Sequence, residues 1–205
     1  MVPLARYRTM SEHYSTAQPT SEERSASYRY VLDGAELVIT TVSGVFGKKG
    51  LDRGSQVLIE YADLKEASTL LDLGCGTGVV GIALARRFGV SVTFADVNER
   101  AVRVARANAA ANGVTGSFLV SDGFSAITGS FDAIVLNPPQ SAGRAVCESL
   151  ITGAKDHLVR RGRLFVVARH NKGGRSLSAY MESVYGSFEV LARKSGYRLY
   201  VSVAV

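Results

Sequence analysis

Residues 69–96 read TLLDLGCGTGVVGIALARRFGVSVTFAD, and the change of period within this stretch decides the architecture. Thr69 to Leu73 is an apolar run of strand length. The glycine-rich GCGTG follows, and Val79 to Phe88 then places Val79, Ile82 and Ala83 on one face of a helix. Val92 to Ala95 is apolar again and ends at Asp96. A strand, a tight glycine turn, a helix and a second buried strand make one βαβ unit, which requires parallel strands and a helix packed over them.

The pattern continues downstream. Asn98 to Ala111 reads as a helix with Ala101, Val104, Ala105 and Asn108 inward, Arg100, Arg103 and Arg106 outward, Asn98 as N-cap and Gly113 beyond its end. Phe118 to Val120 and Ala133 to Leu136 are further short strands, and a helix over about 144–158 leads to a strand over Leu164 to Ala168. A helix over about 176–184 and two strands near 188–192 and 198–203 close the chain, the last two as an antiparallel hairpin. Upstream, YRYVLDGAELVITT pairs two β-rich runs around Asp33-Gly34, a hairpin signal, and SGVFGKKGLDRGS reads as a glycine-rich loop. The expected fold is therefore α/β: a Rossmann-like, doubly wound, mostly parallel seven-stranded sheet with an antiparallel C-terminal hairpin and an N-terminal β-hairpin. Residues 1–27, polar and poor in aliphatics, form an arm. Residues 28–205 form one domain, with hairpin and loop over 28–55 and the core from about residue 56.

Composition agrees with this. The 205 residues are 46% hydrophobic and 20% charged, enough for one substantial core. No apolar run approaches the roughly 18 residues that span a bilayer, so no membrane association and a cytoplasmic location are expected. Cys75 and Cys147 cannot make a disulfide framework or a four-thiolate metal site, and no metal is expected. The net charge of +6 is uneven: residues 144–205 hold eleven Lys or Arg against four acids. A concentrated basic segment suits a nucleic-acid partner.

In a doubly wound sheet, ligands bind beyond the carboxyl ends of the strands. After the first core strand comes Asp72-Leu73-Gly74-Cys75-Gly76-Thr77-Gly78, and after the second comes Asp96, placed for ribose hydroxyls. After the third comes Ser121-Asp122-Gly123, and after the fourth Asn137-Pro138-Pro139-Gln140. Gly76-x-Gly78-x-x-Gly81 alone also satisfies a dinucleotide fingerprint. Such a site needs neither Asp72 nor Asp122, whereas a nucleoside with a cationic amino-acid tail uses both: an ammonium near Asp72, and an adenine amine donating to Asp122. S-adenosyl-L-methionine is that ligand. Gly74, Cys75, Gly76, Gly78, Val97, Gly123 and Asn137 complete the expected cofactor-binding set.

Residues 70–140 resemble class I S-adenosylmethionine-dependent methyltransferases, with LDLGCGTG as the cofactor loop and NPP as the amino-methyltransferase motif. SGVFGKKGLDRGSQVLIE, NPPQSAG, KGGRSLSAYMESVYG and GYRLYVS resemble the small-subunit rRNA guanine-N2 methyltransferase group, nearest to its archaeal single-domain members. The resemblance implies an RNA partner, rRNA, and methyl transfer to guanine N2. Cytosine N4 and adenine N6 would suit the same motif, as would a protein glutamine or a small-molecule amine, and a non-catalytic binding module is a further alternative.

The motif has a physical rationale. An exocyclic amine is a poor nucleophile because its lone pair is delocalised into the ring. Two acceptors aimed at its hydrogens, the Asn137 side-chain oxygen and the Pro138 carbonyl, favour a pyramidal nitrogen, and Pro138 and Pro139 fix the backbone that aims them. Many amino-methyltransferases carry Phe or Tyr after NPP to stack on the base; here Gln140 stands there, and Phe46 is the alternative stacking candidate. Arg169, His170, Lys172 and Arg175, which follow the fifth core strand, are candidates for phosphate contact. Cys75 lacks a nearby histidine in sequence to act as a nucleophile, and His157 is expected to be structural.

Overall fold

The computed structural model describes residues 22–47, 50–139 and 142–205. Gln140 and most of the N-terminal arm lie outside them. A hairpin of β1 (Ser25–Leu32) and β2 (Ala35–Val42) precedes α1 (Arg53–Tyr61), and then β3 (Thr69–Leu73), α2 (Val79–Phe88), β4 (Ser91–Asp96), α3 (Glu99–Ala111), β5 (Gly116–Val120) and β6 (Phe131–Leu136) follow. The chain continues through α4 (Arg144–Asp156), β7 (Leu158–Arg169), a wide turn over His170–Gly174, α5 (Arg175–Tyr185), β8 (Glu189–Lys194) and β9 (Tyr197–Val203). Seven strands form the main sheet in the order β5-β4-β3-β6-β7-β9-β8. The first five are parallel, and β9 runs antiparallel to both β7 and β8. One apolar layer joins α1, α2 and α3 to one face of the sheet, and a second joins α4 and α5 to the other.

The glycine loop folds as the βαβ reading requires. Gly78 caps α2 in the left-handed region (φ 78°), where any other residue would be strained. Gly81 lets the helix lie against β4, because a Cβ there would sit 2.5 Å from Phe94 Cε1. Asp33 and Gly34 both have positive φ, as a tight hairpin turn demands. Asn98 caps α3 by accepting from the N–H groups of Arg100 and Ala101.

Four expectations need correction. First, the stretch expected as loop through residue 55 contains the start of α1: Asp52 caps it, accepting from the N–H groups of Gly54 and Ser55 at 3.0 and 3.1 Å. Second, β1 begins at Ser25, three residues inside the stretch assigned to the arm. Third, Arg100 is buried, not outward. Its guanidinium donates to Ser43 O at 2.8 Å and lies 3.3 Å from the Glu23 carboxylate, so two distant segments compensate its charge. Fourth, β7 begins at Leu158, six residues ahead of the expected strand start at Leu164, so Arg160, Arg161 and Arg163 lie in its amino-terminal part.

Asn108 and Asn112, one helical turn apart on α3, join the hairpin to the core. Each side-chain amide pairs with one residue of β2: Asn108 with the N–H and C=O of Thr40 at 2.9 and 2.8 Å, Asn112 with those of Val38 at 3.0 and 2.9 Å. The two side chains thus pair the outer edge of β2 as a neighbouring strand would. Asn108 also donates to Thr77 O at 2.9 Å, so the same residue ties the hairpin to the glycine loop.

Candidate active site

The carboxyl ends of β3, β4, β5 and β6 open onto a cavity of about 380 Å³. Ten expected residues line it: Phe46, Gly74, Gly76, Asp96, Val97, Asp122, Gly123, Asn137, Pro138 and Pro139. Leu136, Val146 and Leu150 supply an apolar wall. A smaller cavity of about 30 Å³ adjoins it, lined by Asp72, Cys75, Thr77, Tyr28, Asp52 and Ser55; Phe46, Gly74, Gly76 and Asn137 border both. Gly78 lines neither and serves the turn into α2.

The aspartates differ in environment. Asp96 Oδ2 accepts from Gly76 N and Oδ1 from Asn98 N, both at 2.9 Å, and burial outweighs these bonds in raising its carboxyl above the usual range. Asp72 is fully enclosed. Burial raises its carboxyl to about 7 despite a 2.9 Å hydrogen bond from Gly81 N, and the nearby Asp96 charge adds to the effect. Asp122, beyond β5, is exposed at the cavity wall. Burial, with the charges of Asp96 and Asp72, pushes the Cys75 thiol well up, so it stays protonated and packs as a small apolar group.

The arrangement fits a nucleoside with a cationic amino-acid tail. Asp96 keeps lone pairs for ribose hydroxyls, and Asp72, beside the small cavity, makes no ion pair among the described residues. Gly74 offers backbone to the large cavity with open space where a Cβ would be. The Tyr28 hydroxyl, buried in the small cavity, lies toward Thr77 without reaching hydrogen-bond geometry; desolvation raises its pKa to about 12. It is therefore a donor ready for an anionic group such as a carboxylate.

Asn137 is held by residues that the motif itself does not include. Its Nδ2 donates to Asp52 Oδ1 at 3.1 Å and to Ser55 Oγ at 3.3 Å. Because a carboxylate only accepts, Asp52 determines which end of the amide faces it and leaves Oδ1 as the outward acceptor. Gly54 permits the contact, since a Cβ there would stand 3.1 Å from both Nδ2 and Oδ1. The sequence signal for Asp52 is an N-cap ahead of the periodic Val57, Leu58 and Ala62. Beyond the motif, Ala142 N donates to Pro139 O at 2.8 Å.

Arg169, His170, Lys172 and Arg175 stand beside the cavity but do not line it. Arg169 lies over the ring of Tyr197, 5.7 Å from its centroid, and His170 Nδ1 is 3.1 Å from the Tyr200 hydroxyl. His157 is structural as expected: it caps α4, stacks on Phe124 and hydrogen-bonds Gly129 O at 3.1 Å. Among the described residues no cluster of metal ligands occurs, and no helix is long and apolar enough to cross a membrane.

Known proteins share this architecture. The chain is 34% identical over 193 residues to YbxB of Bacillus subtilis, covering 92% of this chain and 96% of that protein. It is 35% identical over 194 residues to ribosomal RNA small subunit methyltransferase C of Escherichia coli K12, covering 91% of this chain and 54% of the relative. Among solved structures, the T. thermophilus 16S rRNA N2 G1207 methyltransferase RsmC, in complex with AdoMet and guanosine, superposes with a TM-score of 0.76 at 25% identity, over 91% of this chain and 52% of that one. The chain thus spans about half the length of the relatives named as rRNA methyltransferases and nearly all of the Bacillus protein. The profile of the methyltransferase small domain matches residues 36–201, from the start of β2 into β9, and the chain belongs to that family.

Proposed function

We propose that this chain methylates an exocyclic amine of an RNA base, guanine N2 of small-subunit rRNA, with S-adenosylmethionine as donor. The observation that carries this reading is the anchored amide of Asn137 at the mouth of the cavity, next to the Pro138 carbonyl, since two fixed acceptors in one place suit an NH2 group. The likeness to ribosomal RNA small subunit methyltransferase C and to a guanosine-bound N2 methyltransferase favours guanine over cytosine or adenine.

The cofactor, when bound, supplies an electrophilic methyl group on a sulfonium. Asp96 and Asp122 would hold its ribose and adenine, Asp72 and Tyr28 its amino-acid end. Asn137 Oδ1 and Pro138 O accept the two amine hydrogens and turn the nitrogen lone pair out of conjugation. Phe46, at the border of the two cavities and 41% exposed, offers a ring face to the base. Leu136, Val146 and Leu150 give the cavity an apolar wall. The proton lost by the amine passes to solvent, so no strong base is required.

The test is nucleoside mass spectrometry of small-subunit RNA treated with the protein and methyl-deuterated S-adenosylmethionine. Deuterated N2-methylguanosine is expected; label in another nucleoside, or only in protein, overturns the base assignment. Asn137→Ala should lower the rate by about 10²–10³-fold, the loss typical of one preorganised polar group. S-adenosylhomocysteine affinity, read by calorimetry, should stay within about threefold, because Asn137 is assigned mainly to the base.

A further inference from the structure

The sheet order brings together charges that are far apart in sequence. Because β9 runs between β7 and β8 and antiparallel to both, the Ser195-Gly196 turn returns to the carboxyl edge, where His170 N donates to Gly196 O at 3.0 Å. Register places Arg193 of β8 directly opposite Arg198 of β9, so both side chains leave the same face of the sheet. Arg198 also stands opposite Ala168 of β7, whose side chain belongs to the α5 layer, and Arg175 opens α5 on that side. Three arginines therefore surround His170. Partial burial and the charges of Arg198, Arg175 and Arg193 together hold the His170 imidazole below its usual range.

Like charges directly opposite on neighbouring strands are unfavourable. Some basic groups elsewhere are compensated: Lys194 pairs with Glu60 at 2.6 Å, Arg87 with Asp33 at 2.7 Å and Arg144 with Glu148 at 2.6 Å. None of Arg175, Arg193 and Arg198 makes an ion pair among the described residues. Arg160 and Arg161 are also without ion pairs among them, but they stand at the amino end of β7. The regular ladder from Arg163 to Arg169 alone sets the two ends about 20 Å apart at ~3.3 Å per residue.

We propose that Arg175, Arg193 and Arg198, gathered around His170, bind backbone phosphate of the RNA strand whose base enters the cavity beside Asn137. The inference rests on the RNA reading above and deepens it. The cluster is next to the site because β7 is the neighbour of β6, so the turn after β7 adjoins the loop that carries Asn137. A planar guanidinium suits phosphate oxygens, and three of them give a local positive field that positions the strand without reading its sequence.

The test measures binding of a short fluorescein-labelled single-stranded RNA against salt for the wild type, for Arg193→Gln with Arg198→Gln, and for Arg160→Gln with Arg161→Gln as an equal change of charge at the other edge. The first pair should reduce the slope of log K against log salt by about 1.4, about 0.7 for each phosphate no longer neutralised, with similar weakening on unrelated RNA sequences. The second pair should leave the slope at the wild-type value. Thermal melting and S-adenosylhomocysteine binding, both expected to match wild type, establish that the variants are folded. Equal slopes for wild type and the Arg193/Arg198 variant, or an equal fall for the Arg160/Arg161 variant, overturn the assignment while RNA methylation by the wild type still stands. A wild type that binds S-adenosylhomocysteine but no RNA overturns the RNA reading itself, and this cluster's role with it.

Discussion

Asp72 and Asp132 lie on adjacent strands, one at the carboxyl end of β3 and the other at the amino end of β6, and the fold treats them in opposite ways. Asp132 Oδ2 accepts from Ser68 N and Thr69 N at 2.9 Å and from Thr69 Oγ1 at 2.8 Å. Burial alone would raise its carboxyl, but these three bonds outweigh burial and hold it below the usual range. Asp72 has one backbone donor, lies deeper and is near a second carboxylate, and its carboxyl rises to about 7. Near the carboxyl edge there are also a buried hydroxyl without a hydrogen-bond partner among the described residues and two directly opposed arginines, groups that a bound ligand would satisfy.

Asp72→Asn tests this contrast most strongly. The charge attracts the cationic end of the cofactor from an enclosed position, so the variant should bind S-adenosylhomocysteine about 10–100-fold more weakly, as expected for a charge-assisted contact worth about 1.5–3 kcal/mol. Its stability should change in the opposite sense. A carboxyl raised to about 7 in the fold, against 3.8 as its ordinary value, contributes stability that is fully present below the unfolded pKa and is lost as pH rises through about 7. The variant should therefore gain on the wild type in urea unfolding as pH rises from 3.8 to about 7, and the difference should level off above that value. Undiminished ligand affinity would remove Asp72 from the site.

Asp132→Asn should show the reverse pattern. Its folded pKa is depressed, so its contribution is present above the unfolded pKa and is lost as pH falls through the folded value. At neutral pH the variant should lose about 2 kcal/mol of unfolding free energy, the scale of hydrogen bonds to a charged acceptor, with the difference shrinking in acid. S-adenosylhomocysteine affinity should not move. If it falls along with stability, the separation between the two edges fails.

What is legible in the sequence divides along similar lines. The βαβ order, the aspartates after successive strands and Asn137-Pro138-Pro139 are local patterns, and each stands where strand-end reasoning puts it. Arg100 reads as outward because a charged residue between apolar positions on a helix defaults to solvent, and its burial depends on Glu23 and Ser43, more than fifty residues away. Arg193 and Arg198 belong to the expected C-terminal hairpin, but their place beside His170 is invisible in the sequence, because nothing local reveals that β9 enters the sheet between β7 and β8. Arg169 and Arg175 look like one group along the chain. In the fold Arg169 leans over Tyr197, whereas Arg175 belongs to the cluster around His170.

The smallest expected effect concerns how the carboxyl edge aims its catalytic amide. Asp52 both caps α1 and accepts from Asn137 Nδ2, so Asp52→Ala should reduce stability by about 1 kcal/mol through the lost cap and also slow turnover. Ser55→Ala separates the two roles. Ser55 donates no side-chain bond to the cap, and its Oγ is 3.3 Å from Asn137 Nδ2, a long contact. Its loss should leave the melting temperature near the wild-type value. Turnover should fall about threefold, an energetic change of about 0.6 kcal/mol at the low end for a neutral hydrogen bond, with KM for RNA unchanged because the bound base still meets Pro138 O. A rise in KM at constant turnover would mean that Ser55 contacts the substrate itself. No kinetic change would leave Asp52 alone as the group that orients Asn137, and the Asp52→Ala turnover defect would then be expected to persist when an alternative N-cap, Asp52→Ser, restores the stability of α1.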